Sequence, residues 1–291
     1  MSATSRSLVR PGGIPAGTIP PVSTIIFTLD EEIHLRSCLA SLAWCDDIIV
    51  VDSFSRDETR DIAAQAGARV YQNPFTGFGD QRNWALDNTA PRHPWALILD
   101  ADERVPPALA QEITEILHEV PPGVAAFRLR RRFHMWGRWL RHSSLYPSWV
   151  VRLVSVGRVR FVNRGHAETQ EIDGEIRDLE TDLIDENLKG IDEWFERQNR
   201  YSRRDAEHEL ALEATPISWS GLLAGDPLVR RAAVKRVAIQ LPARPLVYFF
   251  YSYFLRRGFI DGRDGLVFCM MRAIYQGMVV AKKHDLRRRG G

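Results

Sequence analysis

Two carboxylates one residue apart, Asp100 and Asp102, follow the apolar run Ala96-Leu97-Ile98-Leu99. Four apolar residues in succession suit a strand buried on both faces of a parallel sheet. The acids then stand where that strand leaves the sheet, the carboxyl edge at which open α/β folds bind ligands. Oxygen ligands of this kind hold a hard divalent cation, Mg²⁺ or Mn²⁺, and the cation holds phosphates. Without it, carboxylates facing a diphosphate repel it by roughly 4 kcal/mol per close charge pair in a partly shielded site. A bound cation reverses that sign and stabilises a departing nucleoside diphosphate. Alone, the same spacing also reads as a helix cap beside a solvated Asp.

Other acids fall at comparable places. Asp52 ends the run Ile48-Ile49-Val50-Val51, where a carboxylate either accepts hydrogen bonds from a ribose or base edge or caps a loop. Thr28-Leu29-Asp30-Glu31-Glu32 follows the first apolar strand, so three strand ends carry acids on one rim. Gly77-Phe78-Gly79 is not a dinucleotide fingerprint, because Arg82 stands where the third glycine belongs. Gln81, Arg82 and Asn83 at a helix start either hold a phosphate or nucleobase or face solvent. His166 and Glu168, after another strand, are candidates to deprotonate an attacking hydroxyl, or plain surface residues. Asp185 and Glu186 read equally as a metal ligand or a helix N-terminus.

The elements that position these residues alternate in type. Val22–Phe27, Asp47–Asp52, Ala68–Tyr71 and the run ending at Asp100 read as strands. Between them lie helices: one carrying Leu35, Leu39 and Leu42 on a single face, one stopped by Gly67, and one around Asp80–Leu86. Ser55 and Glu58 have capping-box spacing for the second of these. Pro106 and Pro107 open a further helix to about His118. Helical connections between short buried strands predict a mainly parallel sheet with right-handed crossovers. Beyond Pro122, the stretches Val124–Phe133, Trp149–Val154 and Val159–Val162 look like less regular strands. Leu188 to about Leu212 and then Ile217–His284 look helical.

The chain of 291 residues, 45% hydrophobic and 26% charged, suits one large domain or one domain plus an appendage. A net charge of +2 gives no case for a nucleic-acid partner. Cys38, Cys45 and Cys269 are scattered and lack metal-ligand spacing, which fits reduced cytoplasmic thiols. Residues 1–21, rich in Ser, Pro, Gly and Arg, read as a disordered leader and not a secretory signal.

In order along the chain, several segments resemble a family-2 glycosyltransferase of the GT-A fold, in the branch that includes bacterial lipopolysaccharide-core β-glucosyltransferases. They are Phe27-Thr28-Leu29-Asp30-Glu31-Glu32, Ile49-Val50-Val51-Asp52-Ser53, and Phe75-Thr76-Gly77-Phe78-Gly79-Asp80-Gln81-Arg82-Asn83. Leu99-Asp100-Ala101-Asp102-Glu103-Arg104, Tyr146-Pro147, Arg152-Leu153, Asn199-Arg200-Tyr201-Ser202 and Gly258-Phe259-Ile260-Asp261-Gly262 continue the set. The resemblance implies a GT-A fold: an α/β, Rossmann-like nucleotide-diphospho-sugar transferase with a mainly parallel sheet flanked by helices. It implies that Thr28, Glu32, Asp52 and Arg82 contact the nucleotide, and that Asp100 and Asp102 bind the metal-diphosphate. Where the branch often has adjacent His-Glu, this chain has His166-Ala167-Glu168, with Glu168 the favoured base and His166 second. Asp30 replaces a usual Asn, and Phe54 with Arg56 replaces a small, polar pattern beside Asp52.

The expected activity is transfer of a hexose, with inversion, from a nucleoside-diphosphate sugar to a hydroxyl of a lipid-linked saccharide. Alternatives are a polyprenyl-phosphate acceptor or a catalytically degenerate scaffold in polysaccharide assembly. Arg131, Trp136, Arg138, Trp139 and Tyr146 are candidate acceptor contacts, since aromatic faces suit sugar rings. Leu246–Leu255 and Gly265–Val280 are short of a membrane span, the second interrupted by Arg272. Aromatic residues beside Arg and Lys suit a lipid headgroup boundary; the same helices also fit packing on the catalytic domain or on a second subunit. The resulting division is a leader (1–21), a GT-A domain (22–212) and a C-terminal helical membrane-surface extension (213–291), placed at the cytoplasmic face of a bacterial inner membrane.

Overall fold

A computed structural model describes residues 20–164, 167–213, 233, 241 and 243–289. Nearly all of the expected leader therefore lies outside the described residues, as do His166 and much of 214–242. The chain divides into two compact units: Met1–Trp139 with Tyr146–Asn163 and Glu168–Leu188, and Leu140–Leu145 with Arg164–Ala167 and Lys189–Gly291.

The first unit is built on β1 (Val22–Thr28), β2 (Ile48–Asp52), β3 (Arg69–Gln72) and β4 (Trp95–Asp100), parallel neighbours in the order β3-β2-β1-β4. Their connections are helical, α1 (Glu32–Ala40), α2 (Thr59–Gln65) and α3 (Phe78–Asn88), as the alternating pattern requires. The sheet continues through β8 (Ser148–Ser155), β6 (Val124–Met135), β12 (Leu183–Glu186) and β5 (Glu103–Arg104). Short β7 (Arg138–Trp139) and β11 (Glu175–Asp178) pair with β6. All but β5, β7 and β8 run the same way. This mainly parallel sheet with flanking helices is the architecture the resemblance implies. A separate ribbon joins β9 (Val159–Arg164) to β10 (Ala167–Ile172).

Strand alternation sends side chains to two cores. Ile26, Val50, Leu97 and Leu99 meet Leu35 and Leu39 of α1 and Leu109 and Ile113 of α4 (Pro107–His118). Ile25, Ile49, Val51 and Ile98 meet Ala85 and Leu86 of α3 with Phe161 of β9. Burying such a side chain is worth about 1.5–3 kcal/mol each, and a one-residue shift of a central strand would exchange the side chains packed into the two cores.

Two local expectations resolve differently. α4 begins at Pro107 as expected, and Gly67 ends the α2 segment at φ +78°. The Ser55–Glu58 capping box does not form, because Ser55 bonds Asp52 and the Asp57 carboxylate accepts the Thr59 N–H at 3.0 Å. β6 turns into β7 through Trp136 and Gly137, both at positive φ (+54° and +72°), the backbone of a two-residue hairpin turn.

In the second unit α5 (Gly190–Glu213) packs on α7 (Gly262–Arg289) around Ala206, Tyr275 and Val279. Polar clamps fix the pair: Tyr275 donates to Asp205 at 2.5 Å, and Lys283 reaches Glu209 at 3.1 Å and Glu213 at 2.6 Å. Arg244, at the start of α6 (Arg244–Phe250), joins the same Glu209 at 2.9 Å. A π-helical turn (Tyr251–Leu255) and a 3₁₀ turn (Gly258–Asp261) lead from α6 into α7. Asp261, buried there, accepts the backbone N–H groups of His142 (2.9 Å) and Ser143 (2.7 Å).

Candidate active site

Because Thr28 pairs with Asp52 and Phe27 with Asp100, the three central strands end together and their terminal side chains share one rim. Asp52 is buried and accepts Thr28 Oγ1 and the Ser55 N–H at 3.0 Å each, plus the Ser55 hydroxyl. Asp30 accepts the Arg56 N–H at 2.7 Å, and Glu32, exposed, accepts the Glu58 N–H at 3.0 Å. These acids therefore shape the loop after β2. On that loop Phe54 stands at φ +64° with its ring half exposed.

The start of α3 divides the roles of three neighbouring polar residues. Gln81 donates to Ser53 Oγ at 2.6 Å, staying on the rim. Asn83 pairs with the Phe161 backbone in both directions (2.8 and 2.9 Å), so it holds β9 and not a nucleobase. Arg82, buried, reaches Asp100 Oδ1 at 3.2 Å and pairs with Glu168 of β10. The glycines also serve β9: a Cβ on Gly77 would lie 2.6 Å from the Asn163 side chain.

Asp100 is held from a second side. Arg152 of β8 donates to Asp100 Oδ2 at 2.5 Å and to Glu103 Oε1 at 2.6 Å. Glu103 returns by accepting the Asp100 N–H at 3.0 Å. Arg131 of β6 lies 3.1 Å from Asp185 of β12, which stands opposite Glu103 of β5 in the antiparallel pair. Burial works to raise the Asp100 carboxyl, yet Arg152 and then Arg82 outweigh it and hold it well below the usual range. Burial pushes Glu103 up to about 7, with Arg152 opposing and Asp100 adding. Burial likewise raises Asp185 to about 6, against Arg131 and with help from Asp102 and Asp100.

Asp102, half-buried, takes a different partner, the Asn187 amide at 3.2 Å, while its carbonyl accepts the Glu186 N–H at 3.0 Å. Asn187 is steadied in turn by buried His34, whose Nε2 accepts the Leu188 N–H at 2.7 Å. Asp100 and Asp102 thus share a strand end but not a partner. Among the described residues, no three acids, imidazoles or thiols converge as a metal cage. That donor set suits Mg²⁺ or Mn²⁺ held by one or two carboxylates together with substrate phosphates. Four carboxylates (Asp100, Glu103, Glu168, Asp185) pair with three guanidiniums (Arg82, Arg131, Arg152), and Asp102 adds a fifth two residues beyond Asp100, an excess of two negative charges when all are ionised. Each of those three arginines also has a buried Nε without a hydrogen-bond partner, a donor suited to an added anion. A divalent cation and a phosphate group together meet both conditions.

Of the candidate acceptor contacts, Arg131 faces inward to Asp185 and Glu103. Trp139 packs edge-on against Tyr146 at 5.2 Å and beneath Arg132 at 4.9 Å, while Tyr146 donates to Asp182 at 2.8 Å. Trp136 and Arg138 are exposed at the hairpin tip. Sequence reasoning missed Arg152 and Glu103 as a pair. The available signal was a charged residue inside the apolar run Val150-Val151-Arg152-Leu153-Val154, where only a buried partner makes the charge tolerable.

Residues 23–177, over half of the chain and running from within β1 to within β11, match the model of Glycosyl transferase family 2. A relative from Rhizobium meliloti (strain 1021), the lipopolysaccharide core biosynthesis glycosyltransferase LpsC, is 26% identical over 92% of this chain and 95% of its own length. An uncharacterized glycosyltransferase of Rickettsia bellii (strain RML369-C) is 28% identical, covering 91% of this chain and 86% of that one. Among solved structures, the mannosyltransferase PcManGT from Pyrobaculum calidifontis, in complex with GDP-Man and Mn²⁺, aligns with TM-score 0.47 and 16% identity over 88% of this chain and 87% of that one. The rim acids, the buried arginine Arg152 and Glu168 all lie inside the matched span, and the chain is a glycosyltransferase belonging to family 2.

Proposed function

We propose that the chain moves a hexose, with inversion, from a nucleoside-diphosphate sugar to a hydroxyl of a lipid-linked saccharide. The setting we assign is lipopolysaccharide core, capsule or exopolysaccharide assembly at the cytoplasmic face of a bacterial inner membrane. The similarity to LpsC along nearly the whole chain supports the acceptor class. The observation that carries the donor side is the acidic cluster at the end of β4 with its unsatisfied arginine Nε atoms. In this reading Asp102, with Asp100 beside it, holds Mg²⁺ or Mn²⁺ jointly with the donor diphosphate. When bound, the cation supplies Lewis-acid stabilisation of the departing diphosphate.

The chain's own residues do the rest. Arg82 and Arg152 orient Asp100 and lend positive charge where diphosphate charge grows. The Thr28–Asp52 pair and Gln81 shape the rim for the nucleoside. Glu168 accepts the proton of the acceptor hydroxyl as its oxygen bonds the anomeric carbon and the bond to diphosphate breaks. Arg82 touches both Glu168 and Asp100, so occupancy of the donor site is felt at the base.

The Glu168–Arg82 pair favours one competing acceptor, a polyprenyl phosphate, whose anionic oxygen needs no base. The test is transfer of labelled sugar from a panel of nucleotide sugars to bacterial lipid extract. Labelled saccharide-lipid formed with Mn²⁺ and absent with chelator supports the main reading. Label on a phosphate-linked lipid selects the competitor, and no transfer from any donor leaves a scaffold.

A further inference from the structure

Leu246, Phe250 and Phe254 stand four residues apart along α6 and the π-helical turn, so they form one row. Val247, Tyr251 and Leu255 form the adjacent row. All six are exposed, Leu246 at 64% and Leu255 at 77%. The opposite side of the same segment is closed, with Ser252 buried and bonded back to Tyr248 at 2.9 Å. Phe259 and Ile260 of the 3₁₀ turn prolong the apolar surface at the tip, again about half exposed. A soluble surface rarely leaves so many large side chains contiguous; patches of this kind mark interaction sites.

Charge at the tip favours one partner. Arg257 and Arg263 are exposed there, Asp264 is half-buried, and Asp261 is turned inward to His142 and Ser143. Aromatic and aliphatic side chains edged by arginine match the boundary of an anionic bilayer. Among the described residues one helical stretch, Gly258–Arg289, is long and apolar enough to cross a membrane by length and composition, with mean hydropathy 1.2 and 33% buried in its best window. Its packing argues against crossing. Tyr275, Lys282 and Lys283 are bonded to Asp205, Asn199 and Glu209 of α5, a helix rich in charge. A span would carry those charged partners into hydrocarbon.

We infer that the crest formed by α6 and the two turns after it is an interfacial wedge that inserts into the headgroup region of an anionic bilayer without spanning it. The inference does not depend on the transferase reading, because its test uses no donor and no acceptor. The full chain is sedimented with vesicles of phosphatidylcholine alone and of phosphatidylcholine mixed with phosphatidylglycerol. Binding is expected to be stronger to the mixed vesicles, to weaken with salt, and to be released by alkaline carbonate. The paired substitution Phe254→Asp and Leu255→Asp is expected to weaken it by about tenfold or more. Leu255→Cys, labelled with an environment-sensitive dye while the three native thiols stay buried, gives a second readout through a blue shift on vesicle addition. Absence of vesicle binding overturns the inference, as does carbonate-resistant insertion. So does a dimer that the aspartate pair dissociates while lipid binding is unchanged, because the partner is then a second copy.

Discussion

Replacing Arg152 by Met removes a guanidinium that touches both Asp100 and Glu103, at 2.5 and 2.6 Å. The side chains of Arg152 and Glu103 are 4% and 1% exposed, so water cannot screen what remains. Breaking a buried pair by removing one partner costs about 3–5 kcal/mol, because the other charge is left uncompensated. Glu103 is the carboxylate left without its close cation, while Asp100, 32% exposed, keeps Arg82, which places the expectation within that range at pH 8. Glu103 already sits near 7 through burial, and without Arg152 it holds its proton more firmly still. At pH 5.5 it is neutral, so the loss must shrink as pH falls. Adding Glu103→Gln to the variant should recover stability, with a coupling of about 1–3 kcal/mol between the two positions. Urea unfolding followed by far-ultraviolet circular dichroism at both pH values measures all of this. A loss below about 1 kcal/mol, typical of surface substitutions, or one equal at both pH values would refute the buried cluster as the organiser of Asp100.

Three further outcomes are expected. Glu168→Gln should lower kcat by about 10²–10⁴-fold and change nucleotide affinity far less, checked by steady-state kinetics against calorimetry. Mn²⁺ affinity should rise between pH 5.5 and 8 with release of protons, because Glu103 (about 7) and Asp185 (about 6) shed theirs and the cluster becomes more negative; a flat profile by titration calorimetry contradicts this. Phe54→Gly should leave stability unchanged or raise it by about 1 kcal/mol, since relief of a left-handed non-glycine backbone (about 1–2 kcal/mol) outweighs the added freedom of the unfolded chain. Thermal melts check the stability, and a changed donor preference would place the ring at the nucleotide.

The parallel half of the fold was legible because its signals are local. Apolar runs end in Thr28, Asp52 and Asp100, and Pro107 and Gly67 punctuate the helices between. The acids at those ends were legible for the same reason, and parallel registry then sets them on one rim. What was not legible depends on pairings distant in sequence. Arg152 reaches Asp100 only because β8 lies antiparallel beside β4, with Leu97 opposite Leu153. For Asn83 the sequence leaves open a nucleotide contact or a solvent-facing place, and only the position of β9 against α3 shows where its side-chain hydrogen bonds to Phe161 go. The capping box failed by competition, since the buried Asp52 carboxylate claims Ser55. Arg131, a candidate acceptor contact, turns to Asp185 because strand alternation separates it from Arg130 and Arg132, which pair with Asp182.

Calorimetric titration of nucleoside diphosphates into the wild-type chain and Asp102→Asn, with Mn²⁺ and with chelator, measures whether the acids at the end of β4 hold the diphosphate through a cation. One nucleotide is expected to bind only with Mn²⁺ present, and Asp102→Asn to lose the metal-dependent part. Equal binding in chelator, or full Mn²⁺-dependent binding by Asp102→Asn, would contradict this.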